Sequence, residues 1–173
     1  DGATSVYVVD VDGDGDVDVI SASWDDDKVA WYENDGIENF TEHVISTSAD
    51  GARGVFAQDI DADGDMDILS ASREDGKVAW YENNGQESFT ERVISNSSGD
   101  VRSAYAEDMD GDGDMDVFSA SWDDGTSWYE NDGEENFTKH VITTYDRTRT
   151  VYPIDVDADG DMDVLTASFN DDK

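Results

Sequence analysis

Five aspartates, two glycines and two valines fill the nine residues from Asp10 to Asp18, in the order Asp-Val-Asp-Gly-Asp-Gly-Asp-Val-Asp. Carboxylates at alternate positions of a tightly curled segment can converge on one point. Hard cations are what such oxygen clusters hold, and calcium takes about six to eight oxygens at roughly 2.3–2.6 Å in a flexible shell. Asp10, Asp12 and Asp14 stand at positions 1, 3 and 5 of the loop. Gly15 at position 6 admits a left-handed turn without a Cβ clash. Asp16 at position 7 would offer its backbone carbonyl, and Asp18 at position 9 can close the site with both oxygens. An EF-hand would need an acidic residue at position 12, which is Ser21 here. Magnesium demands a stricter octahedron and retains water. Zinc favours His and Cys. The alternative to a calcium loop is a solvated acidic turn, with five carboxylates repelling one another.

The pattern occurs four times. Asp-Ile-Asp-Ala-Asp-Gly-Asp-Met-Asp begins at Asp59, and equivalent loops begin at Asp108 and Asp155, at offsets of 49, 49 and 47 residues. Position 12 of these loops is Ser70, Ser119 and Thr166. The rest of each unit returns as well. Val-Ile-Ser-Ala-Ser (19–23) has counterparts at 68, 117 and 164, and the Trp-Tyr-Glu-Asn run at Trp31 recurs at Trp80 and Trp128. Repeats of about 40–50 residues are the length of a four-stranded propeller blade.

Elements that could position the loops are strands. Val6–Asp10 runs into the first loop, Val17–Ser23 leaves it, Lys28–Glu33 is rich in β-branched and aromatic residues, and Phe40–Ile45 makes a fourth strand. Asn34-Asp35-Gly36 is a turn between the last two, matched by Asn83-Asn84-Gly85 and Asn131-Asp132-Gly133. Helical periodicity is absent. The expected fold is therefore all-β, a β-propeller of four-stranded antiparallel blades in one domain over residues 1–173. The units run over about 4–49, 53–98, 102–145 and 149–173, the last incomplete. About 3.5 blades are present, and the expectation is a segment of a larger, seven-bladed propeller. A second expectation is that another chain completes the unfinished blade, whose open edge invites pairing.

These loops and blades resemble the FG-GAP/VCBS repeat family, the calcium-loop blades also seen in integrin α-subunit propellers. Essentially the whole chain shares the resemblance. It implies Asp10, Asp12, Asp14, Asp16 (through its backbone) and Asp18 as calcium ligands. By the same motif it implies Asp59, Asp61, Asp63, Asp65 and Asp67, then Asp108, Asp110, Asp112, Asp114 and Asp116, then Asp155, Asp157, Asp159, Asp161 and Asp163, for about four calcium sites. The Phe-Gly and Gly-Ala-Pro pieces that name the family are not intact; Asn39-Phe40 and the Ser-Ala-Ser stretches stand near their places. That departure aligns the chain with bacterial-type VCBS repeats rather than with integrins.

Composition narrows the partners. The chain carries 45 acidic residues against 10 Lys plus Arg, a formal net charge of −35, yet 18 residues are aromatic and apolar runs recur. Bound cations are the simplest way to reconcile that charge with folding, and binding should then be coupled to folding. Nucleic acid and anionic membrane surfaces are excluded as partners by repulsion. No apolar run approaches the roughly 20 residues of a membrane helix. Cysteine is absent, which excludes disulfides and thiolate sites.

The remaining repeated residues carry bland readings. Trp31, Trp80 and Trp128 read as packing between blades, with sugar stacking the alternative. Trp24, Arg73, Trp122 and Phe169 share a variable position near a rim, a better candidate for ligand contact. Arg53, Arg102 and Arg149, with Thr4 in the first unit, read as ion-paired residues or as lining of a central channel. His43 and His140 read as surface residues. Asn39, Asn96 and Asn136 begin N-glycosylation sequons. The function expected is an extracellular calcium-binding scaffold for adhesion, with a protein or glycan ligand and no catalytic residue. Two alternatives stand beside it: a self-assembling surface subunit joined through incomplete blades, and the propeller of a polysaccharide lyase.

Overall fold

A computed structural model describes residues 2–144 and 147–169, so the expected unit ends at 145 and 173 lie outside the described residues. The first sheet is built from β1 (Ala3–Val9), β2 (Asp18–Ser23), β3 (Lys28–Asn34) and β4 (Phe40–Ser46), paired in chain order. The second holds β5 (Ala52–Gln58), β6 (Asp67–Ser72), β7 (Val78–Asn83) and β8 (Phe89–Ser95). The third holds β9 (Val101–Glu107), β10 (Asp116–Ser121), β11 (Gly125–Asn131) and β12 (Phe137–Thr143). Two strands, β13 (Thr148–Ile154) and β14 (Asp163–Ser168), make the fourth sheet. Every pairing is antiparallel. No helix is present among the described residues. The expected strands thus form within a residue or two at most ends; β1 begins three residues earlier than expected.

The sheets stack side by side through their first strands, with β1 on β5, β5 on β9 and β9 on β13. Each junction is apolar and built from the same repeat positions. Ile20, Ala22 and Trp31 of the first sheet meet Val55, Ala57 and Tyr81 of the second. Leu69, Ala71 and Trp80 of the second meet Ala104, Ala106 and Tyr129 of the third. Phe118 and Ala120 of the third meet Val151 of the fourth. Trp31 and Trp80 are fully buried at these junctions, as expected for packing residues. The arrangement is a row of blade-like sheets, and no closed ring is formed among the described residues.

Repeat-equivalent residues make the burial quantitative. Leu69 is 0% exposed between two sheets, whereas its counterpart Leu165 is 50% exposed on the fourth. Leu69→Ala should therefore cost about 2–5 kcal/mol, while Leu165→Ala should stay within roughly 0.5 kcal/mol of the parent. Urea midpoints of the two variants check this; equal losses would mean that the exposed face is covered in solution.

Candidate metal centre

Each loop joins the first and second strands of its sheet. The fold brings three carboxylates together in each one: Asp10, Asp12 and Asp18, with Asp59, Asp61 and Asp67, Asp108, Asp110 and Asp116, and Asp155, Asp157 and Asp163. In every set one oxygen from each residue lies within 4.8 Å of the others. Positions 5 and 7, Asp14 and Asp16 in the first loop, stand outside these clusters. Asp14 Oδ1 instead accepts the Asp16 N–H at 2.8 Å, and Asp63 Oδ1 accepts the Asp65 N–H at 2.9 Å. Asp112 and Asp159 do the same toward Asp114 and Asp161, each at 3.0 Å. Position 3 makes the same two-residue Asx turn, from Asp12 Oδ1 to the Asp14 N–H at 3.1 Å, and still joins the cluster, so the turn by itself does not set position 5 apart. The Asp16, Asp65 and Asp114 side chains crowd Gly36, Gly85 and Gly133 at the turns after β3, β7 and β11, consistent with only a backbone role in the loop.

The position-9 carboxylate does most to shape the site. Asp18 is buried, and its Oδ2 accepts the Val11 N–H at 3.0 Å while Oδ1 accepts the Asn34 N–H at 2.8 Å. Asn34 in turn donates to the Val17 carbonyl at 3.1 Å. The same braces recur around Asp67, from Ile60 at 2.9 Å and Asn83 at 2.8 Å, and around Asp116, from Met109 at 3.0 Å and Asn131 at 2.8 Å. Asp163 keeps the first brace, from Val156 at 3.1 Å, but is exposed. Burial raises the Asp67 carboxyl to about 7, a rise that the two backbone donors limit and that Asp61 and Asp63 add to. Asp116 is pushed up by burial in the same way, against the pull of its backbone donors. Asp12 and Asp61 are also raised by burial, and their neighbouring loop carboxylates add to it.

Position 1 supplies the counterpart. Asp10 Oδ2 accepts the Gly15 N–H at 3.0 Å and Oδ1 the Gly13 N–H at 2.8 Å. In the second and fourth loops Asp59 Oδ1 and Asp155 Oδ1 are buried with no hydrogen-bond partner. Those two loops carry Ala62 and Ala158 at position 4, both at φ 60°, where the first and third carry Gly13 and Gly111 at φ 76°. Unsatisfied buried carboxylate oxygens, carboxyl pKa values raised by burial and three convergent carboxylates fit a hard divalent cation. Asp10, Asp12 and Asp18, and their equivalents, are the side chains that could hold it. One further cluster, Glu33, His43 and Glu87, includes an imidazole and occurs once among the described residues. His43 there stacks on Trp31 and meets Glu33 at 2.8 Å, so it is half-buried rather than a free surface residue.

The three sequon asparagines are exposed. Asn39 and Asn136 donate their amides to Asp35 at 2.7 Å and Asp132 at 3.1 Å in the turns before β4 and β12. Ser98 of the Asn96 sequon is buried against the Tyr129 hydroxyl at 2.6 Å.

Two predictions follow from the loops. Asp67 holds its proton to about pH 7 when folded, whereas an unfolded aspartate releases it near 3.8. Unfolding between those values releases a proton, so metal-free stability should fall as pH rises across that window. The urea midpoint in chelator should be higher at pH 5 than at pH 7.5; a midpoint that climbs with pH would sink this account. Ala62→Gly removes a left-handed alanine and should raise stability by about 0.5–1 kcal/mol, read from the same midpoint.

Comparison with known proteins places these loops. A family described as FG-GAP-like repeat matches residues 10–70, 59–119 and 108–166, nearly the whole chain. Among solved structures, a lectin from Agrocybe aegerita, described as recognising non-reducing terminal N-acetylglucosamine, is similar at 20% identity and TM-score 0.65 over 95% of this chain. The V. cholerae biofilm matrix protein Bap1 is similar at 18% identity and TM-score 0.59, also over 95% of this chain. The chain spans 46% and 28% of those two proteins, so the likeness is one of fold over less than half of each. No curated protein sequence matches. No helix among the described residues is long and apolar enough to cross a membrane. On the repeat motif and its threefold match, the chain belongs to the FG-GAP-like repeat family.

Proposed function

We propose that this chain is a non-catalytic, calcium-stabilised extracellular scaffold that presents a ligand-binding or adhesive surface. The observation that carries the reading is the recurrence, four times, of three convergent carboxylates around a position-9 aspartate, buried in three of the four loops. A buried carboxylate with a raised pKa is costly when ionised, and a coordinated cation offsets that cost. Calcium fits better than magnesium because it accepts an irregular shell of about six to eight oxygens from a loop, whereas magnesium demands a near-ideal octahedron and keeps its water. In each site the position-1, position-3 and position-9 carboxylates hold the ion, and the ion supplies charge neutralisation. The finer reading of the fold is a propeller ring to which this chain contributes about three and a half blades. An adhesive role outside the cell draws support from the lectin and the biofilm matrix protein that share the fold.

A second reading is self-association through uncovered sheet faces. Val6 and Val8 on β1 are 65% and 59% exposed, while Val55 and Ala57 at the equivalent positions of β5 are buried. Sedimentation velocity across a range of concentrations tests it: a sedimentation coefficient that does not change with concentration would remove this reading.

The experiment for the first reading is thermal unfolding in millimolar calcium and in excess chelator, paired with calorimetric titration. Calcium should raise the midpoint by about 20 °C, given several sites saturated far above their dissociation constants. Asp59→Asn with Asp67→Asn should remove one bound ion of about four. An unchanged midpoint in a folded chain would overturn the calcium assignment.

A further inference from the structure

The other end of the inner strands carries a second, chemically opposite site. A cleft of about 220 Å³ opens between the starts of β1, β5, β9 and β13. Arg53, Arg102, Arg149, Thr4, Ser5 and Ser103 line it. Their presence there is built into the backbone. In β5 the register skips from Ala52 to Gly54, in β13 from Thr148 to Thr150, and in β9 from Val101 to Ser103. The extra residue of each bulge is Arg53, Arg149 and Arg102, with Thr4 at the matching bulge of β1. A bulge leaves one residue out of the ladder and re-aims its side chain, which is why bulges collect beside functional sites.

The charge arrangement opposes what ion pairing alone would produce. The chain has six arginines, and five of them (Arg53, Arg73, Arg102, Arg147 and Arg149) gather at this end. Despite 45 acidic residues, Arg53 and Arg149 have no carboxylate partner among the described residues. Arg102 and Arg73 share Asp100, at 2.7 and 3.0 Å, and Arg102 Nε is buried without a partner. Aromatic rings hold the guanidiniums instead. Arg102 lies 4.0 Å from the Trp122 ring centre, Arg149 4.6 Å from Phe169, and Arg73 4.7 Å from Trp24. A guanidinium stacked on a ring keeps its planar fork oriented and its N–H edge available. Burial and the guanidiniums of Arg102, Arg73 and Arg149 destabilise the charged form of Arg53, and Asp100 opposes them.

Hydroxyl groups complete the lining. Ser5 Oγ accepts the Val55 N–H at 3.5 Å and Ser103 Oγ accepts the Val151 N–H at 3.3 Å. Both hydroxyl protons are left to donate. Guanidinium forks suit a planar carboxylate bidentately, and adjacent hydroxyl donors suit sugar oxygens. The volume is below the roughly 300 Å³ at which drug-sized pockets begin, and it is room for one monosaccharide. The acidic loops lie six residues farther along each strand, about 20 Å at strand rise. That exceeds the roughly 8 Å Debye length at physiological salt, so the loops do not repel an anion from the cleft.

We propose that this cleft binds a single carboxylate-bearing sugar residue of the uronic acid type, with Arg53 and Arg149 receiving the carboxylate. The site is separate from the calcium loops. Calorimetric titration of the calcium-saturated chain with sodium glucuronate should give saturable millimolar binding, with glucose giving none and sodium sulfate binding more weakly. Arg53→Gln with Arg149→Gln should weaken glucuronate by about tenfold or more, with the thermal midpoint in calcium unchanged. Glucose binding as well as glucuronate would overturn the proposal, as would full affinity in the double variant. Sulfate binding as tightly as glucuronate would overturn the sugar assignment. Calcium occupancy is read from the midpoint and not from this titration, so failure of either reading leaves the other standing.

Discussion

The buried position-9 aspartate is the constraint on which each repeat depends. Asp67, at 0% exposure, accepts N–H groups from Ile60 at the start of its loop and from Asn83 at the end of the third strand. One side chain thereby fixes the loop to the two strands that flank the sheet's centre. A carboxylate in that position is stabilised by its donors and destabilised by loss of water, and the second effect prevails for Asp67. The metal-free repeat is therefore strained electrostatically at the point that holds it together. Under the proposed function, a cation at the loop would relieve that strain and stiffen the same point, coupling ion binding to folding.

Charge is segregated along the strands. The loops that end the inner strands carry carboxylates and no basic residue, while guanidiniums crowd the bulges that begin them, beside acidic residues such as Glu74 and Asp100. A net charge of −35 would otherwise push a chain of this size toward expansion. Segregation keeps the apolar junctions between sheets free of ions. There, Trp31 and Trp80 pack across to the next sheet, and no charge must be buried apart from the position-9 aspartates and the largely buried Lys77. The Lys77 ammonium is held by Glu91 at 2.8 Å and by the Ser48 carbonyl at 2.8 Å, which offsets its desolvation.

The junction itself is a repeated unit. The same positions pack at each of the three contacts between sheets, which accounts for near-identical apolar residues 49 and 47 positions apart. Burial then follows from whether a neighbour is present rather than from residue type. Ile20, Leu69 and Phe118 are sealed, and Leu165 in the same place is half exposed.

The amino-acid sequence by itself determined the local features. Alternating aspartates with a glycine at position 6 specify a loop, β-branched and aromatic runs specify the strands, and Asn-Asp-Gly specifies the turn after Asn34, because each depends on neighbours a few residues away. It also specified the period, and hence the count of repeated units. Tertiary structure alone decided which carboxylates meet. Asp14 looked equivalent to Asp10 and Asp12 yet stands outside the cluster, and Asp18 is braced there by the Asn34 N–H, sixteen residues on. Arg53, Arg102 and Arg149 were visible as a repeated position and read as ion-paired or as lining a central channel, yet no spacing announced the skipped register that turns them into one cleft. Bulges and clefts arise from pairing between strands and contact between sheets, distances that a linear pattern does not encode.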